Sequence, residues 1–458
     1  MDLSHSQRAS SVESPAAAGT DQHGSIVGRG ARDSARLTRK WFHSLDETAQ
    51  SGQGAAYVFV MASMCEVLKT FDLPVVFPEV TALQTAVRGT SEDYLSQAED
   101  LGFSSDVCGY LKADIAMHHR GAEHPMGKIP KPLLVVMTNA CNTYFKWAEI
   151  WGRMYGAPLT TIDIPNERAA HSLSARGSDD FEFEHAYVVK QIKELIAECE
   201  RVTGKKFDID KFRQHLAYSN VIGHYWRKML HLNASNPAVF NALTDGLAYL
   251  GMVNCYRSTP EGAEYFKNLY EELEFCSRHG IGPTIRRDGK EVPIEQKFRL
   301  GFLGVPCYSM FRGFPELFSD WGGIFVTSGY MMFASGGIHF DHEYEMKDPI
   351  ESFAEGLLLQ VRDLQSGLFF ELPNVESKLS PFKLDGIVYH GVKSCRTASS
   401  GLVDRRFHAA ESLGLPSLLL ESELVDPRVV SKAQMKNRVD AFFEGLISRQ
   451  QQEVIAAR

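Results

Sequence analysis

The stretch Lys131-Pro-Leu-Leu-Val-Val-Met137-Thr-Asn-Ala-Cys141-Asn-Thr-Tyr-Phe-Lys-Trp147, running on through Gly156 to Pro165, carries the reading of the fold. Residues 133–137 are a short apolar run of the kind that forms a buried strand. Residues 138–141 are a polar turn and residues 142–155 repeat apolar side chains at helical spacing. Gly156 then supplies the residue that ends a helix most cheaply, because it takes the left-handed conformation without steric cost. Residues 159–164 predict the next strand. Strand, turn, helix and strand in that order are the repeating unit of a parallel sheet.

The same grammar extends outward in both directions. Residues 55–60 predict a strand, 63–71 a helix and 74–77 another strand. Near the end, 386–389 predict a strand, 391–397 a polar turn, 400–413 a helix closed by Gly414, and 417–420 a strand; a further unit runs from a strand at 299–304 through a turn at Cys307 and a helix to about 321, to a strand at 324–327. Between these regions, residues 182–276 are mostly helical in period, with long amphipathic runs at 187–202 and 207–230. The expected fold is α/β, with two Rossmann-like or flavodoxin-like parallel-sheet domains joined by a helical layer. Residues 1–35 are expected to be a disordered tail, 36–200 an α/β domain with Cys108 and Cys141, 201–289 the linking layer, and 290–458 an α/β domain with Cys395.

The 458 residues exceed one ordinary core, and 44% hydrophobic with 23% charged residues is the balance of a globular protein. A net charge of -9 without a long basic run argues against nucleic acid as a partner. Apolar stretches such as 55–64 fall far short of the roughly 20 residues that span a bilayer. The first 35 residues have no apolar signal-peptide stretch. The expected setting is the cytoplasm, with reduced thiols and no membrane contact. No Gly-x4-Gly-Lys-[Ser/Thr] loop occurs, and Gly28-Arg-Gly30 lacks the preceding strand that a nucleotide site requires. His118, His119 and His124 match no common zinc spacing and read as a solvated loop. Lys112 and Asp114 either orient Cys108 or form a helix-surface pair.

Eight cysteines are scattered along the chain, none in the compact spacing of a ferredoxin or zinc ribbon. Cys65, Cys199, Cys255 and Cys276 lie within helical patterns and read as small buried apolar residues. Cys141 and Cys395 fall at strand-to-helix turns, where free backbone N–H groups and the positive end of the helix dipole stabilise anionic sulfur. Cys307 occupies a similar turn, and spacing alone does not exclude it.

The segment Ser105-Asp-Val-Cys108-Gly-Tyr-Leu-Lys-Ala-Asp-Ile115 resembles the first cysteine motif of the benzoyl-CoA reductase and 2-hydroxyacyl-CoA dehydratase family. Asn139-Ala-Cys141 with Phe145-Lys-Trp147 resembles the second, and Asp385-Gly-Ile-Val-Tyr-His-Gly-Val-Lys-Ser-Cys395 the third. Phe207-Asp-Ile-Asp210, Glu421-Ser-Glu-Leu-Val-Asp-Pro-Arg428 and Lys436-Asn-Arg438 resemble in particular the larger, B-type cluster-carrying subunit of the ATP-dependent reductases. The likeness runs from about residue 50 to 445. Two departures stand out: Ser399-Ser-Gly-Leu402 lacks the glutamine common in the family, and residues 304–323 diverge around Pro306-Cys307-Tyr308.

The resemblance implies an oxygen-sensitive [4Fe–4S] cluster on Cys108, Cys141 and Cys395, with Cys307 outside the set and one iron left open to water or substrate. It further implies a homologous sister cluster subunit, ATP hydrolysis on separate activating subunits, ferredoxin as electron source and an aromatic acyl-CoA substrate reduced to a cyclic dienoyl-CoA. A radical 2-hydroxyacyl-CoA dehydratase uses the same parts without net redox change. A structural or electron-relay partner of the sister subunit, and a redox-inactive α/β binding protein with buried thiols, are the non-catalytic alternatives. The resemblance singles out no proton donor and no CoA-binding residue.

Overall fold

The computed structural model describes residues 26–165, 174–288, 290–336, 342–359 and 379–456. In the first half, strands β1 (Ala55–Tyr57) and β2 (Val75–Val76) are followed by a small hairpin of β3 (Glu123–His124) and β4 (Gly127–Lys128), then by β5 (Pro132–Thr138) and β6 (Leu159–Ile162). The second half opens with a hairpin of β7 (Thr284–Arg287) and β8 (Lys290–Pro293), followed by β9 (Phe298–Gly304), β10 (Gly323–Ser328), β11 (Gly386–Val392) and β12 (Ser417–Ser422). Two four-stranded sheets result, ordered β2-β1-β5-β6 and β10-β9-β11-β12. Every pair in both is parallel. In each sheet the first strand lies between the second and the third. The chain therefore reverses its direction of winding between β1 and β5, and again between β9 and β11. At such a switch point the following loops diverge and leave a crevice at the carboxyl ends of the strands.

The anticipated α/β architecture is thus present, and its helices end where the sequence placed their stops. Gly156 and Gly414 close the helices Asn142–Tyr155 and Leu402–Leu413 in the left-handed conformation, at φ 66° and 61°. Between the sheets lie the helices Asp179–Thr203, Ile209–Leu232, Asp245–Cys255 and Pro260–Arg278. Asp208 starts the second of these by accepting the N–H groups of Asp210 and Lys211, both at 3.0 Å. The boundary placed at residue 200 falls inside the helix Asp179–Thr203. One continuous apolar core includes residues of both sheets and of the helical layer, from Leu37 to Leu446.

Three sequence readings are corrected by packing. The sequence predicts a disordered tail to residue 35, but a helix starts at Arg29 and runs to Gln50, burying Leu37, Trp41, Phe42 and Leu45; residues 1–25 lie outside the described ones. Its start is held by the Glu272 carboxylate, which accepts the N–H groups of Gly28 at 2.5 Å and Gly30 at 2.6 Å. The glycine pair therefore caps a helix against a buried acid, a place from which an anionic phosphate is repelled.

The histidine patch is not a solvated loop. His118 is buried in the helix Gly109–His119 with Nδ1 2.9 Å from the Tyr155 hydroxyl, and His124 stacks on Phe42 at 4.8 Å between ring centres. Burial pushes the His124 imidazole down to about 4. Only His119 faces solvent.

Of the two readings of Lys112 and Asp114, the helix-surface pair fails, because both are fully buried and bond elsewhere. Lys112 Nζ donates to Glu99 and to the Ser105 carbonyl, each at 3.0 Å.

Candidate functional site

All eight cysteines are free, and they divide by environment. Cys65, Cys199, Cys255, Cys276 and Cys307 are buried, whereas Cys108, Cys141 and Cys395 are partly accessible. Each of these three is the residue preceding a helix: Gly109–His119, Asn142–Tyr155 and the short turn Arg396–Ser399. Backbone N–H groups of those first turns reach the sulfurs, from Tyr110 and Leu111 to Cys108, from Thr143 to Cys141 and from Ala398 to Cys395.

The three residues are brought together from sequence positions far apart. Cys141 follows β5 and Cys395 follows β11, each at the switch point of its sheet, and Cys141 Sγ lies 3.4 Å from Thr397 Oγ1 just past Cys395. Cys108 feels the charge of both Cys395 and Cys141.

The scaffold that holds them explains several of the quoted motifs. Asp114 Oδ2 accepts the indole N–H groups of Trp147 at 2.8 Å and Trp151 at 2.9 Å, so one buried carboxylate ties the Cys108 helix to the Cys141 helix. Lys112, through the Ser105 carbonyl, fixes the turn that leads into Cys108. Gly109 is required because a Cβ there would stand 2.7 Å from Val425 Cγ2, in the loop after β12. In that loop Glu423 accepts from Ser394 N at 3.0 Å and Ser394 Oγ at 2.6 Å, setting the approach to Cys395. Arg428 pairs with Asp426 and, bidentately, with Glu99 at 2.7 and 2.8 Å. The Arg428 guanidinium holds Glu99 down at about 2. The Glu421–Arg428 motif is therefore a clamp between the second sheet and the Cys108 region.

Burial raises all three thiols, with Cys395 at about 12 and Cys108 raised further by the charge of Cys395. Three desolvated thiols in mutual range resist ionising together unless a cation neutralises them, which is what a metal group does when it takes thiolate ligands. Among the described residues no three His, Cys, Asp or Glu side chains converge closely enough for a single ion. The donor set fits a polynuclear iron–sulfur group, whose thiolates sit on different irons and need not meet at one point, with N–H donors around its sulfurs. Cys307, the N-terminal neighbour of the turn Tyr308–Met310, is buried, and its Sγ lies 3.4 Å from Ser309 Oγ.

Sequence reasoning missed Glu79, Tyr144 and Tyr330. Glu79 stands in the first turn of the helix Pro78–Val87, and its Oε1 accepts from the Tyr144 hydroxyl at 2.7 Å and from Val60 N, in the loop after β1, at 3.3 Å. Its Oε2 is buried without a partner. Burial, opposed by the Tyr144 bond, pushes the carboxyl up to about 7. The charge of Glu79 is felt at Cys141, Tyr144 and Tyr330. Nothing in the Pro78-Glu79 dipeptide marked it, since an acid in a first helical turn is ordinary.

Against known proteins, the profile of the 2-hydroxyglutaryl-CoA dehydratase, D-component family matches residues 62–446. The chain belongs to that family. The B-type polypeptide of benzoyl-CoA reductase from Thauera aromatica is 32% identical over 88% of this chain and 91% of its own length. The (R)-phenyllactyl-CoA dehydratase alpha subunit of Clostridium sporogenes is 28% identical over 85% of this chain and 88% of its own, and the (R)-2-hydroxyisocaproyl-CoA dehydratase alpha subunit of Clostridioides difficile is 27% identical over 84% and 88%. The family's members named here are enzyme subunits, and this chain is an enzyme component of the same kind. Among its described residues no helix is long and apolar enough to cross a membrane.

Proposed function

We propose that the chain is the iron–sulfur subunit of an ATP-dependent, ferredoxin-driven reductase acting on an aromatic acyl-CoA of the benzoyl-CoA type, with Cys108, Cys141 and Cys395 as ligands of a [4Fe–4S] cluster. The observation that carries this reading is that Cys108, Cys141 and Cys395, the three cysteines that are not fully buried residues, each precede a helix and lie within electrostatic range of one another, with Cys141 Sγ 3.4 Å from Thr397 Oγ1 just past Cys395. The higher identity to a benzoyl-CoA reductase component, 32% against 28% and 27% for the dehydratase components, supports reduction of an aromatic ring. Hydrolysis of ATP on separate activating subunits, a homologous sister subunit and a cytoplasmic setting complete the assembly we propose.

A bound cluster would supply electrons one at a time. The chain's own residues bind the thiolates, exclude water and hold a proton. Protonated Glu79, fixed through Oε1 by Tyr144 and with Oε2 free, is the group that we assign to proton delivery. Its displacement to about 7 keeps it poised to hold and release a proton near neutrality.

A second reading, a radical 2-hydroxyacyl-CoA dehydratase, is favoured by the description of the matching family. Anaerobic incubation of the purified complex with benzoyl-CoA, ATP and a low-potential reductant separates the two. Consumption of benzoyl-CoA with formation of a cyclic diene is expected; water loss from a 2-hydroxyacyl-CoA, with benzoyl-CoA untouched, selects the dehydratase. Cys395→Ala is expected to lower iron per chain and abolish activity, whereas Cys307→Ala retains both. Unchanged iron in Cys395→Ala refutes the ligand assignment.

A further inference from the structure

The loop after β12 carries a carboxylate between two of the thiol-bearing turns. Glu423 is only 5% exposed, so water screens it little. Its Oε2 accepts the Ser394 N–H at 3.0 Å, and its Oε1 accepts the Ser394 hydroxyl at 2.6 Å and the Leu424 N–H at 2.9 Å. Toward the other turn, a Cβ placed on Gly109 would stand 3.7 Å from Glu423 Oε1. Ser394 is the neighbour of Cys395 and Gly109 the neighbour of Cys108. On either side, therefore, the residue that Glu423 touches is one step of chain, ~3.8 Å between Cα atoms, from a thiol-bearing residue.

The loop is held from two further elements. Leu424 O accepts the N–H groups of Tyr308 at 2.7 Å and Ser309 at 3.3 Å, and Val425 O accepts the Ser91 hydroxyl at 2.7 Å. All three groups that bond the Glu423 side chain are donors, the surroundings that suit a carboxylate. Among the described residues no cation pairs with it: Lys112 is taken by Glu99, and Arg428 by Glu99 and Asp426. A negative charge kept inside without a cation costs stability. It also projects an unneutralised field onto whatever the adjacent thiols hold.

We propose that Glu423 sets the redox potential of the site: its fixed negative charge, wedged between the Cys395 and Cys108 turns, opposes the addition of an electron to a cluster held there and makes the reduced form a stronger donor. The proposal rests on the cluster reading above. The potential of an iron–sulfur group follows the charge, hydrogen bonding and burial around it, and reduction of an aromatic ring needs a donor of low potential. Glu423 exchanges neither a proton nor an electron. The single electron enters from the low-potential donor named above and leaves to the acyl-CoA; the carboxylate alters only the free energy of the reduced state.

The test is a redox titration of the anaerobically purified complex, followed by electron paramagnetic resonance of the reduced iron. Glu423→Gln removes the charge with little change of shape. It is expected to retain iron and to shift the reduction equilibrium about tenfold toward the reduced form, a rise of about 59 mV for one electron. Ser394→Ala removes one bond of the same turn and keeps the charge, and is expected to stay at the wild-type potential. Glu423→Ala, in which water reaches the same donors, is expected to show the same rise as Glu423→Gln and keeps the test decisive should the glutamine variant fold poorly. An unchanged potential in both Glu423 variants, or an equal rise in Ser394→Ala, overturns the proposal while leaving the cluster reading intact. If Cys395→Ala leaves the iron content and the resonance signal of the complex unchanged, the cluster reading itself fails, and this proposal with it.

Discussion

At the scale of single residues, Glu79 shows how burial alone sets a proton affinity. The Tyr144 hydroxyl and two backbone N–H groups offset part of the cost of ionising the carboxyl, and burial outweighs them. Its position at about 7, from an ordinary 4.5, gives a signed prediction. A carboxyl whose folded value is raised contributes stability below its unfolded value and loses it as pH rises through the folded one. Glu79→Gln should therefore match the wild type near pH 5 and exceed it in stability near pH 8, as read by denaturant midpoints across that range. If the protonated carboxyl delivers a proton, wild-type turnover falls above about 7, whereas Glu79→Gln lowers turnover about 10²–10⁴-fold and loses that limb of the pH profile. The residue was not legible in the sequence because the dipeptide Pro78-Glu79 reads as a helix start, and burial of that start depends on Val60 and Tyr144, 19 and 65 residues away.

At the scale of elements, the sequence was most informative where structure is local. The helix that Gly156 ends and the one that Asp208 begins follow from residues adjacent in the chain. Asp208→Ala removes an acceptor for two N–H groups and should lower stability by about 1 kcal/mol, measurable by urea or thermal unfolding, with iron content unchanged. Readings failed where an element's surroundings decide its character. The helix Gly109–His119 has polar residues on several faces, yet Lys112, Asp114 and His118 are all inside. Each polar head finds a partner there, and no periodicity announces that.

Across the whole molecule, the first sheet region, the helical layer and the second sheet region meet at one buried ion pair. Arg257 Nε donates to Glu66 Oε1 at 2.7 Å, where Ser219 Oγ also donates at 2.6 Å, and Arg257 Nη1 reaches the Ser335 carbonyl at 3.1 Å. Arg257→Met leaves Glu66 buried without its cation and should cost about 3–5 kcal/mol; the double variant Glu66→Met/Arg257→Met should recover much of that loss, as read by equilibrium unfolding. What the sequence by itself determined was the strand–turn–helix units, their doubling in one chain and the placing of Cys141 and Cys395 at turns where N–H groups are free, because each depends on short-range periodicity and turn chemistry. The family motifs added Cys108 to that pair. Only the tertiary structure decided that Cys307, in a similar turn, is buried, that Gly109 admits Val425 beside the Cys108 turn, and that Tyr144 of the Cys141 helix bonds Glu79 in the interior. Those are contacts between residues tens to hundreds of positions apart, and they are set by how two sheets and a helical layer pack into one core, which no local pattern encodes.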